Sequence, residues 1–319
     1  MKTAIITGAG GFIGSHMVSF LKKKGYQVTG IDIKKPEFSK SDADRFIIAD
    51  LRDPKLVKKH LYKVDELYML AADMGGMGYI SCHGPQIVHD NAIININLLQ
   101  RSSELKIGKV FFSSSACVYP EEKQMSVVNK GLKEEDAYPA SPDTAYGWEK
   151  IFSEQACLSY NKELGLETRI ARFHNIYGPN GSYEGGREKS PAALCRKISK
   201  ARKIGSIKVW GDGKQSRSFC YIDDCLEGIY KLMQSDHTQP LNIGSDRSVT
   251  VNQMVDIISK IAGKKISKEY DLTKPQGVRG RNSDNTKLKK ILKWEPQISL
   301  EKGLEITYNW IDNQLKNKK

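Results

Sequence analysis

Tyr146 and Lys150 stand four residues apart, the spacing that puts two side chains on one face of a helix. An ammonium beside a phenol lowers the phenol's pKa, and a phenolate can take or return a hydroxyl proton while hydride leaves or reaches the carbon. The spacing alone recurs by chance. It gains weight from Ser113-Ser114-Ser115, which follows an apolar strand-like run and would place hydroxyls, Ser115 among them, near the mouth of the same cleft. Pro142 and Asp143 suit the first turn of the helix that carries the pair.

Hydride chemistry needs an acceptor, and the chain opens with a place to hold one. Thr7-Gly8-Ala9-Gly10-Gly11-Phe12-Ile13-Gly14 lies between an apolar strand and a helical stretch. Gly8, Gly11 and Gly14 match a tight turn, close backbone approach to a pyrophosphate and close helix–sheet packing. Phe12 and Ile13 complete the cofactor loop, and the N-terminus of the helix that follows offers free N–H groups and a positive dipole end to such an anion. Asp32 ends the next strand, where a carboxylate accepts from an adenosine ribose and repels a 2′-phosphate, favouring NAD over NADP; Lys34 and Lys35 follow closely. Asp50 and Leu51 are placed to meet adenine, and Ala71 and Ala72 to line the cofactor cleft. A glycine turn in an α/β protein that binds no nucleotide is the alternative.

These pieces need a scaffold, and the residue pattern supplies one. Strands are expected at Lys2–Thr7, Gln27–Asp32, Arg45–Ala49, Glu66–Ala71, Lys109–Ser114 and Glu167–Arg172. Helices are expected at Gly14–Lys24, Pro54–Leu61, Gln86–Leu105 and Asp143–Leu164. Apolar strands alternating with amphipathic helices specify an α/β fold with a doubly wound parallel Rossmann sheet. After about Tyr177 the rhythm gives way to the turn-rich loop Gly178–Arg187. There follow a helix at Pro191–Lys203, strands at Ile207–Trp210 and Ser218–Ile222, and helices at Asp223–Met233, Val251–Ala262 and Leu300–Gln314. The domain reading is 1–178 for cofactor, with part of 219–243 returning to it, and a smaller α+β substrate domain over 179–319.

Composition sets limits. The 319 residues carry 27% charged and 39% hydrophobic side chains, a globular balance. No apolar run approaches the length of a membrane span. The net charge of +13 could serve nucleic acid, a membrane surface or a small polyanion. Lysines far outnumber arginines and are scattered without interleaved aromatics, so a solvated surface is expected in place of a nucleic-acid face. The six cysteines form no C-x-x-C pair, and the N-terminal run is too short for a signal peptide; reduced thiols in a cytoplasmic protein are expected. Taken alone, Cys117 reads as a small buried hydrophobe, like Cys82, Cys157, Cys195, Cys220 and Cys225. His174 reads as hydrogen-bonded structure.

The glycine loop, Asp32, Ser115 and Tyr146-x-x-x-Lys150 resemble the extended short-chain dehydrogenase/reductases, NAD-dependent enzymes acting on nucleotide sugars. Arg172-Phe173-His174-Asn175-Ile176-Tyr177-Gly178-Pro179 is similar to that family's passage into the substrate domain, which implies that Asn175 touches the sugar nucleotide. Ser115-Ala116-Cys117, Met74-Gly75-Gly76-Met77-Gly78, Gly185-Gly186-Arg187-Glu188-Lys189-Ser190, Arg217-Ser218-Phe219 and Gly277-Val278-Arg279-Gly280-Arg281 narrow the resemblance to its members that epimerise GDP-mannose at C3 and C5. That resemblance implies Cys117 as base, Lys189 as acid, and Tyr146, Lys150 and Ser115 serving the redox step. It implies contact of the hexose with Gly75, Gly76 and Met77, and of the diphosphate with Arg217, Arg279 and Arg281. A homodimer through the two long helices at Gln86–Leu105 and Asp143–Leu164 follows by the same analogy. The alternatives are another NAD-dependent nucleotide-sugar enzyme (a GDP-heptose or other GDP- or UDP-hexose epimerase, a C4 oxidase, a dehydratase) and, further off, a non-catalytic NAD-sensing or RNA-binding protein. A dehydratase is expected to carry an acidic residue where Cys117 stands.

Overall fold

In a computed structural model, which describes residues 1–318, the first half of the chain alternates as the apolar runs require; Lys319 lies outside the described residues. The order is β1 (Thr3–Thr7), α1 (Phe12–Lys23), β2 (Gln27–Asp32), β3 (Arg45–Ile48), α2 (Pro54–His60), β4 (Glu66–Met69), the single turn α3 (Met77–Ile80), α4 (Gly84–Leu105), β5 (Lys109–Ser115), α5 (Ala145–Leu164) and β6 (Thr168–Phe173). The second half adds β7 (Ile176–Tyr177), α6 (Ser190–Lys200), β8 (Ile204–Trp210), β9 (Ser216–Ser218), β10 (Cys220–Tyr221), α7 (Ile222–Gln234), β11 (Leu241–Ile243), β12 (Ser248–Thr250), α8 (Val251–Ile261), β13 (Lys265–Asp271), β14 (Gly280–Arg281), α9 (Thr286–Leu292) and α10 (Leu300–Asn317).

Seven strands form one parallel sheet in the order β11-β6-β5-β4-β1-β2-β3. Neighbouring residues on a strand point to opposite faces. Ile6, Tyr68 and Phe111 therefore enter one core with Met17 and Leu21 of α1 and Ile229 of α7. Ile5, Leu67 and Phe112 enter a second with Val57 of α2, Leu98 of α4 and Cys157 of α5. Burial on both faces is why these strands read as near-continuous apolar runs. Strand β11 comes from the second half of the chain, and α7 packs on α1. The remaining second-half strands make small sheets: β12-β9-β14, the pair β8–β13, and the pair β7–β10. No helix among the described residues is long and apolar enough to cross a membrane.

Where expectation and structure part, local geometry is the reason. The run expected as one strand over Ser218–Ile222 divides into the end of β9 and the separate β10, after which Ile222 begins a helix. The helix expected from Pro191 to Lys203 ends at Lys200, and Lys203 instead offers its carbonyl to the Lys265 N–H where β8 and β13 begin. Strand β4 stops at Met69, releasing Leu70 to Asp73 toward the cleft. Strand β13 has one exposed face and a charge-rich sequence, so its apolar pattern is too weak to read as a strand.

Candidate active site

The loop after β1 is shaped for a ligand of backbone. Gly8 has φ of +73°, and a Cβ there would lie 2.6 Å from the Leu70 carbonyl carbon; a Cβ on Gly14 would lie 2.0 Å from the Gly8 oxygen. Only glycine fits at either place, because φ is left-handed at the first and there is no volume at the second. Gly11 caps α1 without a side-chain acceptor, so the first N–H groups of the helix, at Phe12 and Ile13, stay free for an anion. Asp32 leaves β2 and accepts from the Gly10 N–H at 2.8 Å, which sets its carboxylate at the rim of this cradle; Lys34 and Lys35 point into solvent. Leu51 is buried below the rim, while Asp50 pairs with Arg52 at 2.6 Å and is held below the usual carboxylate range by it. Ala71 and Ala72 are half-buried just past β4, with the Ala71 backbone against the Gly8 turn. A cradle that a Cβ would fill, a free helix N-terminus and a carboxylate at the second strand's end together fit a dinucleotide.

Helix α5 carries the proton-handling groups to the end of β5. The Thr144 hydroxyl accepts from the Gly147 N–H at 3.2 Å and starts the helix, so Tyr146 falls in its first turn and Lys150 one turn on. Tyr146 is 6% exposed and Lys150 1%. The Lys150 ammonium lies 4.8 Å from the centre of the Phe112 ring and 5.5 Å from that of Tyr146, with the Glu149 carboxylate 3.8 Å away. That carboxylate is fully buried and accepts from Asn95, Ser153 and Asn91. The sequence suggests a lowered Tyr146 pKa; in the structure it is raised well above the ordinary value. Burial is the main cause, Cys117 and Glu149 add to it, and only the Ser115 hydroxyl opposes them. Lys150 sits over aromatic faces and next to Glu149, so its charge does not offset the desolvation of the phenol.

One residue beyond Ser115 the chain makes a single 3-10 turn, 116–118, capped by the Ser115 hydroxyl on the Cys117 N–H at 3.2 Å. Helix α5 packs so closely on this turn that a Cβ on Gly147 would approach the Cys117 oxygen to 2.2 Å. The Cys117 thiol is therefore fixed beside Tyr146, in a small cluster with Met74, Met77 and Tyr79. Arg281, on β14, reaches it from the other half of the molecule: its Nη1 donates to the Cys117 sulfur at 3.1 Å, its Nη2 lies 3.4 Å from Asp143, and its Nε donates to Gln124. Burial works against the Arg281 charge, yet the sulfur and Asp143 outweigh it and raise its pKa. Arg281 was expected on the diphosphate; its 5% exposure and these partners place it on the thiol.

Lys189 precedes α6 and faces the same pocket. Burial lowers its ammonium's pKa, while Cys117 and Cys225 oppose the shift. Arg217 on β9 donates to the Ser216 and Gln276 carbonyls, and among the described residues it has no carboxylate partner. Burial, then Arg281, pulls it down to about 9, with Cys117 and Asp143 opposing, so it stays cationic at neutral pH. A guanidinium without a carboxylate partner has donors to offer an anion. Arg279 is held differently, by a two-pronged pair with Asp212 at 3.0 and 3.1 Å. Asn175 stands at φ of +47° and spends its amide N–H on the Ser218 carbonyl at 2.9 Å. Gly75 and Gly76 lie against Tyr79 and the Glu188 backbone, and a Cβ on Gly277 would meet the Met77 methyl at 2.7 Å and the Arg217 guanidinium at 3.3 Å.

The fold thus gathers Cys117, Tyr146, Lys189, Arg217 and Arg281 from five separate segments: Cys117 is a charge neighbour of each of the other four. His174 is buried, neutral with a pKa lowered by burial to about 3, and bonded through Nε2 to Asn242. Phe219 is core, and Trp210 is 42% exposed against Gly78. The sequence places Pro142 and Asp143 in the first turn of α5, but Thr144 caps that helix and both precede it; no chemical role is assigned from the sequence to Asp143, Gln124, Asp73 or Arg187. The first two carry no motif signal; the last stands two residues before Lys189, which is the one clue available.

Residues 4–244 match the model of the NAD dependent epimerase/dehydratase family. The chain is 46% identical, over 98% of its length and 83% of the relative's, to the GDP-mannose 3,5-epimerase of Arabidopsis thaliana. It is 45% identical, over 98% of its length and 82% of the relative's, to GDP-mannose 3,5-epimerase 1 of Oryza sativa subsp. indica. In fold it is similar to the UDP-glucose 4-epimerase of Thermotoga maritima, with a TM-score of 0.88 at 26% identity over 98% of this chain and 99% of that one. A UDP-glucuronic acid 4-epimerase from Bacillus cereus, solved with NAD, gives a TM-score of 0.83 at 26% identity over 98% and 99%.

Proposed function

The chain belongs to the NAD dependent epimerase/dehydratase family, and from that premise we propose that it is an isomerase that inverts GDP-mannose at C3 and C5. Its cofactor is NAD. Gly8, Gly11, Phe12, Ile13, Gly14 and Asp32 would hold it, with Leu51, Ala71 and Ala72 along the cleft. When bound, NAD supplies reversible removal of hydride from C4, which turns that alcohol into a ketone.

Each residue then has one task. Tyr146 as phenolate takes the C4 hydroxyl proton and later returns it, the Ser115 hydroxyl favours that phenolate and orients the substrate hydroxyl, and Lys150 places its charge 5.5 Å from the ring. A C4 ketone acidifies the C–H bonds at C3 and C5, which an alcohol does not. The Cys117 sulfur, with the Arg281 guanidinium 3.1 Å away, acts as thiolate, removes the carbon's proton and leaves an enolate. The Lys189 ammonium delivers a proton to the opposite face, and its lowered pKa makes it the better acid. Inversion at one carbon therefore converts one thiolate and one ammonium to thiol and amine, and proton exchange with water restores both. Arg217 meets the diphosphate, with Arg279 beside it, and Asn175, Gly75, Gly76 and Met77 border the hexose. The observation that carries this reading is the placing of Cys117, Arg281 and Lys189 in one pocket beside Tyr146.

We divide the chain into a cofactor portion, 1–178 with part of 219–243, and a substrate portion over most of the rest. Val88 on α4 and Trp148 and Phe152 on α5 are exposed large apolar side chains on two packed helices, which supports a homodimer across them. We assign the protein to the cytoplasm, on its six unpaired cysteines, and read its surplus of lysine as surface in place of a nucleic-acid site. The deciding experiment is incubation of the enzyme with GDP-mannose in D₂O. Deuterium should enter at C3, C5 or both, with inverted sugars appearing alongside; label at neither carbon rejects the assignment.

A further inference from the structure

Lys189 stands at a junction between a rigid side and a loose one. On its C-terminal side α6 begins at once, with Pro191 in the first turn and Leu194, Cys195 and Ile198 buried beneath it. On its N-terminal side Gly185 and Gly186 have φ of +91° and +88°, and a Cβ on either would meet nothing within 4 Å. Two such glycines in open space leave the strap 184–188 free to swing unless something holds it.

Arg187 holds it. Its guanidinium lies 3.9 Å from the centre of the Tyr79 ring, Nη1 donates to Asp73 at 2.7 Å and to the Met74 carbonyl at 3.2 Å, and Nη2 donates to the Tyr79 hydroxyl at 2.5 Å. The Tyr79 hydroxyl donates in turn to Asp73 at 3.0 Å, and the His83 ring stacks on its other face at 4.0 Å. The Arg187 carbonyl accepts from the Gly76 N–H at 3.0 Å, and a Cβ on Gly76 would come within 2.4 Å of the Glu188 oxygen. The receiving loop is itself fixed: Asn91 of α4 accepts from the Asp73 N–H at 2.6 Å and donates to its carbonyl at 3.1 Å. Glu188 accepts from Arg196 of α6 and from the Gly186 N–H within the strap, and so makes no side-chain tie to the loop before α3. Arg187 thus joins the element that carries Lys189 to the loop that borders the Cys117 pocket.

We infer that Arg187 and Asp73 form a latch that positions the Lys189 ammonium across the sugar from Cys117, a conclusion that rests on the acid–base assignment above. Arg187 touches neither Cys117 nor Tyr146; it acts through Lys189. Its pair with Asp73 is partly exposed, with Arg187 at 48%, and such pairs contribute little to stability. Its consequence is geometric: proton transfer demands close approach, and a small misplacement of the acid costs rate steeply.

This gives a signature that a general loss of structure would not produce. With the latch open, Cys117 still removes the proton and can return a solvent deuteron to the same face, but Lys189 no longer delivers to the other. In D₂O, Arg187→Gln and Asp73→Asn should each lower the ratio of inverted to retained, deuterium-bearing GDP-sugar about tenfold. The KM for GDP-mannose should stay within about threefold, and the double variant should be no worse than either single one, as for residues of one unit. Amide exchange over 184–190 should quicken in both singles. Inversion and retention falling together, a ratio like that of the wild type, a KM raised tenfold at unchanged ratio, or additive effects would each overturn the latch. Wild-type enzyme that incorporates no deuterium would instead reject the acid–base reading itself.

Discussion

The cofactor cradle and the acid–base pocket lie side by side and are built by opposite means. The cradle is nearly one stretch of chain, Gly8 to Gly14, completed by Asp32 from the next strand, and what it offers a ligand is backbone N–H groups at the start of α1. Its requirement is negative, since no Cβ may intrude. The pocket draws Cys117, Tyr146, Lys189, Arg217 and Arg281 from five segments, and what counts is where side-chain ends converge. Backbone sites can be encoded locally; convergent sites depend on every element that carries them.

That contrast can be broken at either end. The largest effect is expected at the pocket. Cys117→Ser should lower epimerisation by on the order of 10²–10⁴-fold, the usual worth of a positioned base. NAD affinity, read by fluorescence titration, should stay within twofold; lost NAD binding would show that the two regions are not separable. Next, Gly14→Ala puts a methyl where the Gly8 oxygen lies 2.0 Å away, and should cost about 1–3 kcal/mol of stability together with much of the NAD affinity. Unchanged thermal unfolding and NAD affinity would remove the no-Cβ argument. The smallest effect is Arg217→Gln, which should raise the KM for GDP-mannose about 10- to 100-fold, as for loss of a charge-assisted bond, while the kcat for substrate already bound changes less. A loss confined to kcat would move Arg217 from the diphosphate to the chemistry.

Legibility in the sequence follows the same line. The glycine loop, Asp32 and the Tyr146/Lys150 pair were readable because each is a short-range pattern whose spacing maps onto one turn or one helix face. The large sheet was readable because strands buried on both faces stay apolar throughout, whereas β13, with one exposed face, was not. Arg281 shows the limit. Its type suits a phosphate, and nothing in Gly277–Asn285 reveals that the β12-β9-β14 sheet delivers it to a sulfur 164 positions earlier. Tyr146 shows another: a neighbouring lysine argues for a lowered pKa, yet burial decides its direction.

By itself the sequence determined the α/β class, the cradle and the residue types available for hydride and proton transfer, because backbone conformation and helical spacing are local properties. Tertiary structure alone decided which cation meets the thiol, which arginine stays unpaired for an anion, and how the strap before Lys189 is held. Those outcomes depend on distances between segments far apart in the chain, and only the packing of one half of the molecule on the other sets them.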